Sequence, residues 1–293
     1  MDKEKILKAG RIASEIREEA RNFIKKGMPL IEIANKIEDR MAEFGGKPAF
    51  PTCLSVNDIA AHATPAYDDE RIAEGILKID LGVHLDGWIA DTAFSMDLDG
   101  VEENKKIVET SKKALMNVIE KMRKDITLKE IGGTVYETMK SEGLIPITNL
   151  FGHSIHQYNL HSNISIPNYD NGSNFALSPG LYAVEPFATN GNGKVHDGKP
   201  SGIYRLVNDR SIRSPIAREI LKFIKTEFNT LPFCSRWIVK RFGTKASIEL
   251  KQLEGNGNIY QYAELIESKH GKVAQTEHTI LIEEDGNIIV TTE

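Results

Sequence analysis

Apolar residues recur along the chain in two periods, and each period predicts a different kind of element. Spacings of three and four residues, with Lys, Glu and Arg on the opposite face, predict amphipathic helices. Alternation of apolar and polar residues predicts half-buried strands. The predicted helices lie at 2–26, 29–46, 102–124, 128–142, 214–228, 232–243 and 246–255. Thr127 and Glu130 form a capping-box pattern that fixes the start of the fourth helix.

The stretch 78–96, KIDLGVHLDGWIADTAFSM, predicts two strands that fold back on each other and carry two acids, Asp80 and Asp91. If the turn is centred on residues 85–86, the acids face each other directly; if it is centred on 86–87, they are diagonal neighbours. Both registers keep them on one face of the hairpin. At a separation of ~5 Å, two ionised carboxylates repel unless a proton or a cation lies between them. Two exposed acids on a solvated hairpin remain the alternative.

Four histidines lie in turn-rich segments that could form a site. His62 lies in the segment 47–70, and His153, His156 and His161 fall together in a stretch rich in Gly, Asn and Ser. A neutral imidazole binds divalent metals and titrates near neutral pH, so such a cluster favours a metal or acid–base site. A polar loop with solvated histidines is the alternative, and we predict that outcome for His156.

Two glutamates lie in otherwise apolar strands. Glu185 ends the strand LYAVEPF, and Glu277 lies in the first strand of a second hairpin, whose turn is predicted at 285–286. A buried carboxylate is costly without a counter-charge, so each glutamate calls for a cation. A buried salt bridge to Lys or Arg would serve equally well for either residue.

The pattern changes between residues 189 and 257. The segment 191–202, GNGKVHDGKPSG, predicts a loop, and three predicted helices follow it, so that 191–257 reads as a compact helical insert. A basic run in the insert predicts a solvated helix face more strongly than a contact with an acidic partner. It consists of Arg236, Lys240, Arg241 and Lys245. No repeat or linker divides the chain, so 1–293 is predicted to form one domain.

Composition narrows the functional classes. Of the 293 residues, 40% are hydrophobic and 27% are charged, as in ordinary soluble proteins. The net charge of −5 and a pI of about 6.0 give no global case for binding nucleic acid or an anionic membrane. Cys53 and Cys234 indicate neither a disulfide framework nor a cysteine zinc site. With no signal-peptide pattern and no apolar run long enough for a membrane span, the sequence predicts a cytoplasmic protein.

Five residues from separate segments combine into one candidate metal site: Asp80, Asp91, His153, Glu185 and Glu277. Four carboxylates and one imidazole balance the charge of two divalent ions, and an oxygen-rich set favours Mn, Fe, Co or Zn over a thiolate-bound metal. Two such ions ~3.5–4 Å apart can activate a water for hydrolysis. Spacing alone does not select these five residues from the other acids of the chain.

The segments that carry these residues resemble the motifs of methionine aminopeptidases with the pita-bread fold. The matching segments are KIDLGVHLDGWIADTA, GHSIHQYNLH, YAVEPFA and AQTEHTI, with AAHATP as the loop-histidine segment. The order Asp, Asp, His, Glu, Glu is shared with prolidases and aminopeptidase P. Over nearly its full length the chain is most similar to the type 2 enzymes, because an insert of roughly 60 residues separates the two glutamate strands. The lack of a long N-terminal extension is similar to the short, archaeal-style form.

The resemblance implies an α/β (α+β) fold with central antiparallel sheets covered by helices, and a specific ligand arrangement. Asp91 and Glu277 would bridge two divalent ions, Asp80 would bind one of them, and His153 and Glu185 would complete the other.

The resemblance also implies a set of groups around the substrate. Glu185 would act as general base and then as general acid. His62 and His161 would flank the scissile peptide, hydrogen-bonding its carbonyl and nitrogen. Phe50 and Tyr262 would form walls of the methionine pocket.

The implied reaction is removal of the initiator methionine from nascent proteins and peptides, with a small second residue preferred. The resemblance further implies a cytoplasmic monomer that contacts the nascent-chain N-terminus and, transiently, the ribosome, without a membrane or a specific nucleic acid as partner. Two alternatives remain. One is a prolidase-like Xaa-Pro dipeptidase, and the other is a non-catalytic RNA- or protein-binding relative, in which the metal ligands would be eroded.

Overall fold

The computed structural model describes residues 1–293 and contains seven helices, each of which the periodicity predicts to within a few residues. They are α1 (Lys3–Phe23), α2 (Leu30–Glu43), α3 (Glu102–Lys121), α4 (Leu128–Ser141), α5 (Pro215–Glu227), α6 (Ser235–Phe242) and α7 (Ala246–Gly255). The capping box of α4 is present, with the Thr127 hydroxyl accepting from the Glu130 backbone and the Glu130 carboxylate accepting from Thr127. None of these helices is long and apolar enough to cross a lipid bilayer.

Sixteen strands pair antiparallel throughout and form four sheets. The hairpin sheet contains β1 (Lys47–Pro48), β2 (Cys53–Val56), β4 (Ile76–Leu85) and β5 (Trp88–Asp97). A second sheet contains β6 (Ile145–Pro146), β10 (Phe187–Thr189) and β14 (Val273–Gln275). A third contains β3 (Ile59–Ala61), β11 (Val195–Leu206), β12 (Phe233–Cys234) and β13 (Ile259–Glu267). The fourth contains β7 (Gly152–Ile155), β8 (Ser165–Ile166), β9 (Gly180–Val184), β15 (His278–Ile282) and β16 (Ile288–Val290).

The β4–β5 hairpin turns at Asp86-Gly87, and both residues have positive φ, 49° and 82°. Positive φ at both central positions is what a tight two-residue hairpin turn requires. In this register Asp80 lies opposite Ala93 and Asp91 lies opposite Gly82. The two acids are therefore diagonal neighbours, and the register centred on residues 85–86 is wrong.

Two helical layers cover the sheets and form the two largest cores. Helices α1 and α2 pack on the hairpin sheet, and α3 and α4 pack on β9, β10, β14 and β15. An isolated bridge joins strand β5 of the hairpin sheet to the residue just before β15 of the fourth sheet: the Glu277 amide donates to the Ala93 carbonyl at 2.9 Å. The two sheets that carry the predicted ligands are thus held edge to edge, with the ligands at the junction.

The predicted loop at 191–202 is wrong, because most of it lies in the twelve-residue strand β11. This strand pairs with β13, whose sequence lies some 60 residues further on, and two register shifts interrupt the pairing. No local pattern indicates this strand, because glycine and proline are depleted in strands and it contains Gly198, Pro200 and Gly202. Residues 191–257 therefore contain strands β11 and β12 as well as three helices.

The predicted solvated basic face holds for three of its four residues. Lys240, Arg241 and Lys245 are exposed, whereas Arg236 is buried and forms an ion pair with Glu38 of α2. For Arg236 the prediction is wrong, because its partner lies on a helix distant in sequence.

Candidate metal centre and substrate pocket

All nine residues singled out from the sequence line one cavity of about 230 Å³. They are Phe50, His62, Asp80, Asp91, His153, His161, Glu185, Tyr262 and Glu277. His156 lies outside it, exposed and hydrogen-bonded to Ser162 at 2.7 Å, which confirms the prediction of a surface residue.

The five candidate ligands lie at strand positions that hydrogen bonding fixes. Asp80 and Asp91 project from one face of the hairpin. The backbone of Asp91 is held from both sides by the Thr279 hydroxyl, which accepts from its N–H and donates to its carbonyl, each at 2.8 Å. Glu277 directly precedes β15, and its amide donates to the Ala93 carbonyl.

The two remaining ligands come from β7 and the end of β9. His153 pairs with Ala183 across the sheet. Glu185 follows β9 directly, at the point where Pro186 separates that strand from β10. Neighbouring strands thus deliver an imidazole and a carboxylate to the same end of the sheet.

The donor atoms of these side chains converge. The Gln275 amide nitrogen lies 3.4 Å from an oxygen of Asp80, 3.3 Å from one of Glu185 and 3.4 Å from one of Glu277. His153 Nε2 lies 3.7 Å from carboxylate oxygens of both Asp91 and Glu185. Donor atoms of Asp91, His153 and Glu277 all lie within 4.8 Å of one another.

Buried polar atoms in this cluster lack partners that the protein could supply. Four have no hydrogen bond: Asp80 Oδ1, Asp91 Oδ1, His153 Nδ1 and Glu277 Oε1. No lysine or arginine nitrogen lies within 4.0 Å of any of the four carboxylates, so the salt-bridge alternative is wrong for both glutamates. Leaving such groups unsatisfied costs ~1–3 kcal/mol each, and more when they are charged.

The electrostatics of the cluster demand positive charge. Burial raises the pKa of Asp80 to about 7. Burial, followed by repulsion from neighbouring carboxylates, raises the pKa values of Asp91, Glu185 and Glu277 well above their ordinary range. Burial lowers the pKa of His153 well below its usual value, so its imidazole is neutral at pH 7 and suited to bind a metal. Oxygen donors with one imidazole fit divalent cations of the Mn, Fe, Co or Zn type.

Two histidines and two aromatic residues shape the rest of the cavity. The rings of His62 and Tyr262 meet edge to face with centroids 5.5 Å apart, and those of His161 and His153 with centroids 4.4 Å apart. Phe50 packs so closely on Gly82 that a Cβ there would lie 2.3 Å from its ring. The hairpin therefore needs glycine at the point where the pocket wall crosses it.

Several lining residues escaped the sequence reasoning. The cavity wall includes Cys53, Leu160, Phe187, Ile203 and Pro232. Gln275 was also missed, although it precedes Glu277 by two positions in an extended segment, and the period of two places both side chains on one face. That spacing is the signal that could have identified it.

Comparison with known proteins gives consistent relationships. Residues 4–284 match the sequence profile of metallopeptidase family M24. The chain is 45% identical over 298 residues to a methionine aminopeptidase of Pyrococcus abyssi, with 100% of both chains covered. It superposes on a thermophilic Arx1 with a TM-score of 0.83 at 17% identity, covering 98% of this chain and 89% of the other. For a methionine aminopeptidase of Thermotoga maritima the TM-score is 0.71 at 22% identity, with 99% and 96% covered. At such identities the two superpositions bear on the fold alone.

Proposed function

Because the chain belongs to metallopeptidase family M24 and, within it, to the methionine aminopeptidases, we propose that its five clustered ligand residues hold two divalent ions for the removal of N-terminal methionine. The identification of the family, the pita-bread fold and the enzyme class from sequence motifs is confirmed. The chain is therefore a metallo-exopeptidase, and the prolidase-like and non-catalytic alternatives are less well supported.

One observation carries the metal assignment. Four of the five candidate ligands hold a buried polar atom without a hydrogen bond, and no cationic side chain approaches their carboxylates. Such a cluster is stable at neutral pH only with protons or metal ions in it. Asp80, Asp91, His153, Glu185 and Glu277 would together hold the two ions.

The metal ions, when bound, polarise the scissile carbonyl and lower the pKa of water. The protein supplies the proton transfers. Glu185 lines the cavity and its side chain is 13% exposed, so its carboxylate is placed to take up a proton from a water in the cavity. It accepts a proton from the attacking water and passes it to the leaving amine.

Substrate binding falls to the other cavity residues. His62 and His161 hydrogen-bond the scissile peptide, by donating to its carbonyl oxygen and accepting from its N–H. The apolar wall, which includes Phe50 and Tyr262, accommodates the methionine side chain, and the cavity of about 230 Å³ leaves little room beside it. We therefore expect a small second residue, as in Met-Ala or Met-Gly peptides, to be strongly preferred over Leu or Lys.

The proposal also covers the domain organisation, the cellular location and the partners of the chain. Residues 1–293 act as a single catalytic domain in which 191–257 is the insert of the type 2 enzymes. The enzyme works in the cytoplasm as a monomer, with a nascent-chain N-terminus as its substrate and transient contact with the ribosome.

The test is peptide hydrolysis by protein stripped of metal and then reloaded with Mn, Fe, Co or Zn. We expect Met-Gly-Met-Met to be cleaved only after reloading, with two ions bound per chain by elemental analysis. Asp91→Asn and Glu277→Gln should lower both metal content and activity. Glu284→Gln, on an exposed turn, is the matched control and should change neither. Cleavage of the peptide by metal-free protein would contradict the proposal. A preference for an Xaa-Pro dipeptide would favour the prolidase-like alternative. A chain that binds no ion would favour the non-catalytic alternative.

A further inference from the structure

Beyond the cavity mouth, one face of the third sheet continues the pocket wall outward. Ile203 of β11 and Tyr262 of β13 line the cavity. Arg205 and Tyr260 lie two positions from them and directly opposite each other across the two strands. Because side chains two apart on a strand share a face, Arg205 and Tyr260 extend the surface formed by Ile203 and Tyr262.

Aromatic rings connect the candidate peptide-binding residue His62 to Arg205 in short steps. The centroids of His62 and Tyr262 are 5.5 Å apart, and those of Tyr262 and Tyr260 are 5.4 Å apart. The guanidinium carbon of Arg205 lies 5.6 Å from the Tyr260 centroid, where a cation is attracted to the ring. Tyr260 is 49% exposed, so this surface is open to a ligand along its outer half.

Arg205 is a cation without an anionic partner in the protein. It is exposed, makes no side-chain hydrogen bond, and has no carboxylate within 4.0 Å, unlike Arg40, Arg71 and Arg236. Its guanidinium lies at the outer end of the ring series that begins at His62 and Tyr262, which line the cavity. A fixed positive charge at the exit of a peptide-binding cavity selects for negative charge in the ligand.

We propose that Arg205, backed by Tyr260, binds a carboxylate of the substrate downstream of its second residue, which makes it a specificity-determining residue. This proposal rests on the proposed aminopeptidase function. An extended peptide advances about 3.4 Å per residue, so the path from His62 brings the third to fifth residue of the substrate opposite Arg205. The planar guanidinium matches a carboxylate with two parallel hydrogen bonds. The group recognised is either an acidic side chain or the C-terminal carboxylate of a short peptide.

The experiment compares kcat/KM for amidated peptides that begin Met-Ala and carry Glu, Ala or Lys at position three, four or five. Met-Ala-Ala as the free acid and as the amide tests the C-terminal carboxylate separately. For the wild type we expect the best Glu peptide to exceed its Ala counterpart by about two- to fivefold, as for an exposed charge pair, with Lys below Ala. Arg205→Gln should bring the Glu-to-Ala and Lys-to-Ala ratios of kcat/KM to about one, and Arg205→Lys should retain part of the preference. Arg11→Gln, which removes an exposed charge from α1, should keep the full preference.

The outcomes identify the carboxylate that is recognised, and they separate the role of Arg205 from the proposed aminopeptidase function. A gain with internal Glu supports side-chain recognition, and a gain confined to the free acid of Met-Ala-Ala supports recognition of the C-terminus. Equal rates for Glu, Ala and Lys combined with equal rates for the free acid and the amide of Met-Ala-Ala, or a preference that persists in Arg205→Gln, would overturn the role of Arg205 while leaving the aminopeptidase intact. No cleavage of any Met-Ala peptide by metal-loaded enzyme would overturn the proposed function itself.

Discussion

The ion pair between Arg236 of α6 and Glu38 of α2 fastens the 191–257 segment to the N-terminal helices. Arg236 donates twice, to Glu38 Oε2 at 2.7 Å and to Oε1 at 2.8 Å, and the two side chains are only 5% and 9% exposed. The Trp237 indole and the Thr52 amide donate to the same carboxylate. Four hydrogen bonds therefore meet on one buried anion.

Replacing Arg236 by Met keeps an apolar stem of similar length and removes the charge. The Glu38 carboxylate then stays buried with only the Trp237 and Thr52 donors, while Pro65 and Asn35 each lose the donor that Arg236 gave them. Breaking a buried pair in this way costs about 3–5 kcal/mol. For a chain of this size we expect the thermal midpoint to fall by about 6–20 °C.

The chain contains a matched control for this measurement. Arg40 also binds a glutamate with two hydrogen bonds, to Glu19 at 2.6 and 2.7 Å, but these side chains are 31% and 36% exposed. Arg40→Met should therefore cost ~1 kcal/mol or less, because solvent screens the pair.

The assay is thermal unfolding of each variant followed by circular dichroism, with the Arg236→Met/Glu38→Met double variant included. Removing both charges should cost less than removing Arg236 alone, since no unpaired anion remains. If Arg236→Met lowers the thermal midpoint no more than Arg40→Met does, the buried ion pair is not costlier to break than the exposed one, contrary to this prediction. A double variant no more stable than Arg236→Met alone would equally contradict the cost assigned to the unpaired Glu38 carboxylate.

Three further predictions concern the site and the helix caps. Gln275→Leu removes the amide that contacts three candidate ligands, and we expect metal affinity measured by calorimetry to fall roughly 10–100-fold. Gly82→Ala forces a Cβ into the Phe50 ring, so KM for Met-Ala peptides should rise and stability should fall by about 1–3 kcal/mol. Hydrogen bonds from Thr127, and then from Arg123, lower the pKa of Glu130 from 4.5 to about 2. A depressed carboxyl pKa stabilises the fold above pH 4.5, and that contribution is lost as the pH falls toward 2. The stability gap between wild type and Glu130→Gln should thus be full at pH 6 and close near pH 2 in denaturant titrations; a gap independent of pH would contradict this.

The helices and the central hairpin could be predicted because their signals are local. Thr127 and Glu130 are three residues apart, and Asp86-Gly87 specifies its own turn, although the sequence left two registers open. The two registers differ in which residues have positive φ and in whether the acids face each other directly or diagonally, but both place the acids on one face. The convergence of Asp80 with Glu277 could not be read from spacing, and it was the resemblance to known motifs that singled out these residues.

The failures concern contacts between distant segments. Strand β11 is defined by its pairing with β13, and no window around Gly198 or Pro200 contains that partner. Arg236 looked like a surface cation because it shares a basic run with Lys240 and Arg241, and only its ion pair with Glu38 on α2 shows otherwise. In both cases tertiary pairing overrides a local preference.

The hydrogen bond between the Glu277 amide and the Ala93 carbonyl joins the last hairpin of the chain to the first. Ligands from the first hairpin and from the last meet only when that contact closes, so an incomplete chain emerging during synthesis has no assembled centre to load. Metal capture is thereby delayed until the final hairpin docks, and uptake of the ions can serve as a direct readout of completed folding.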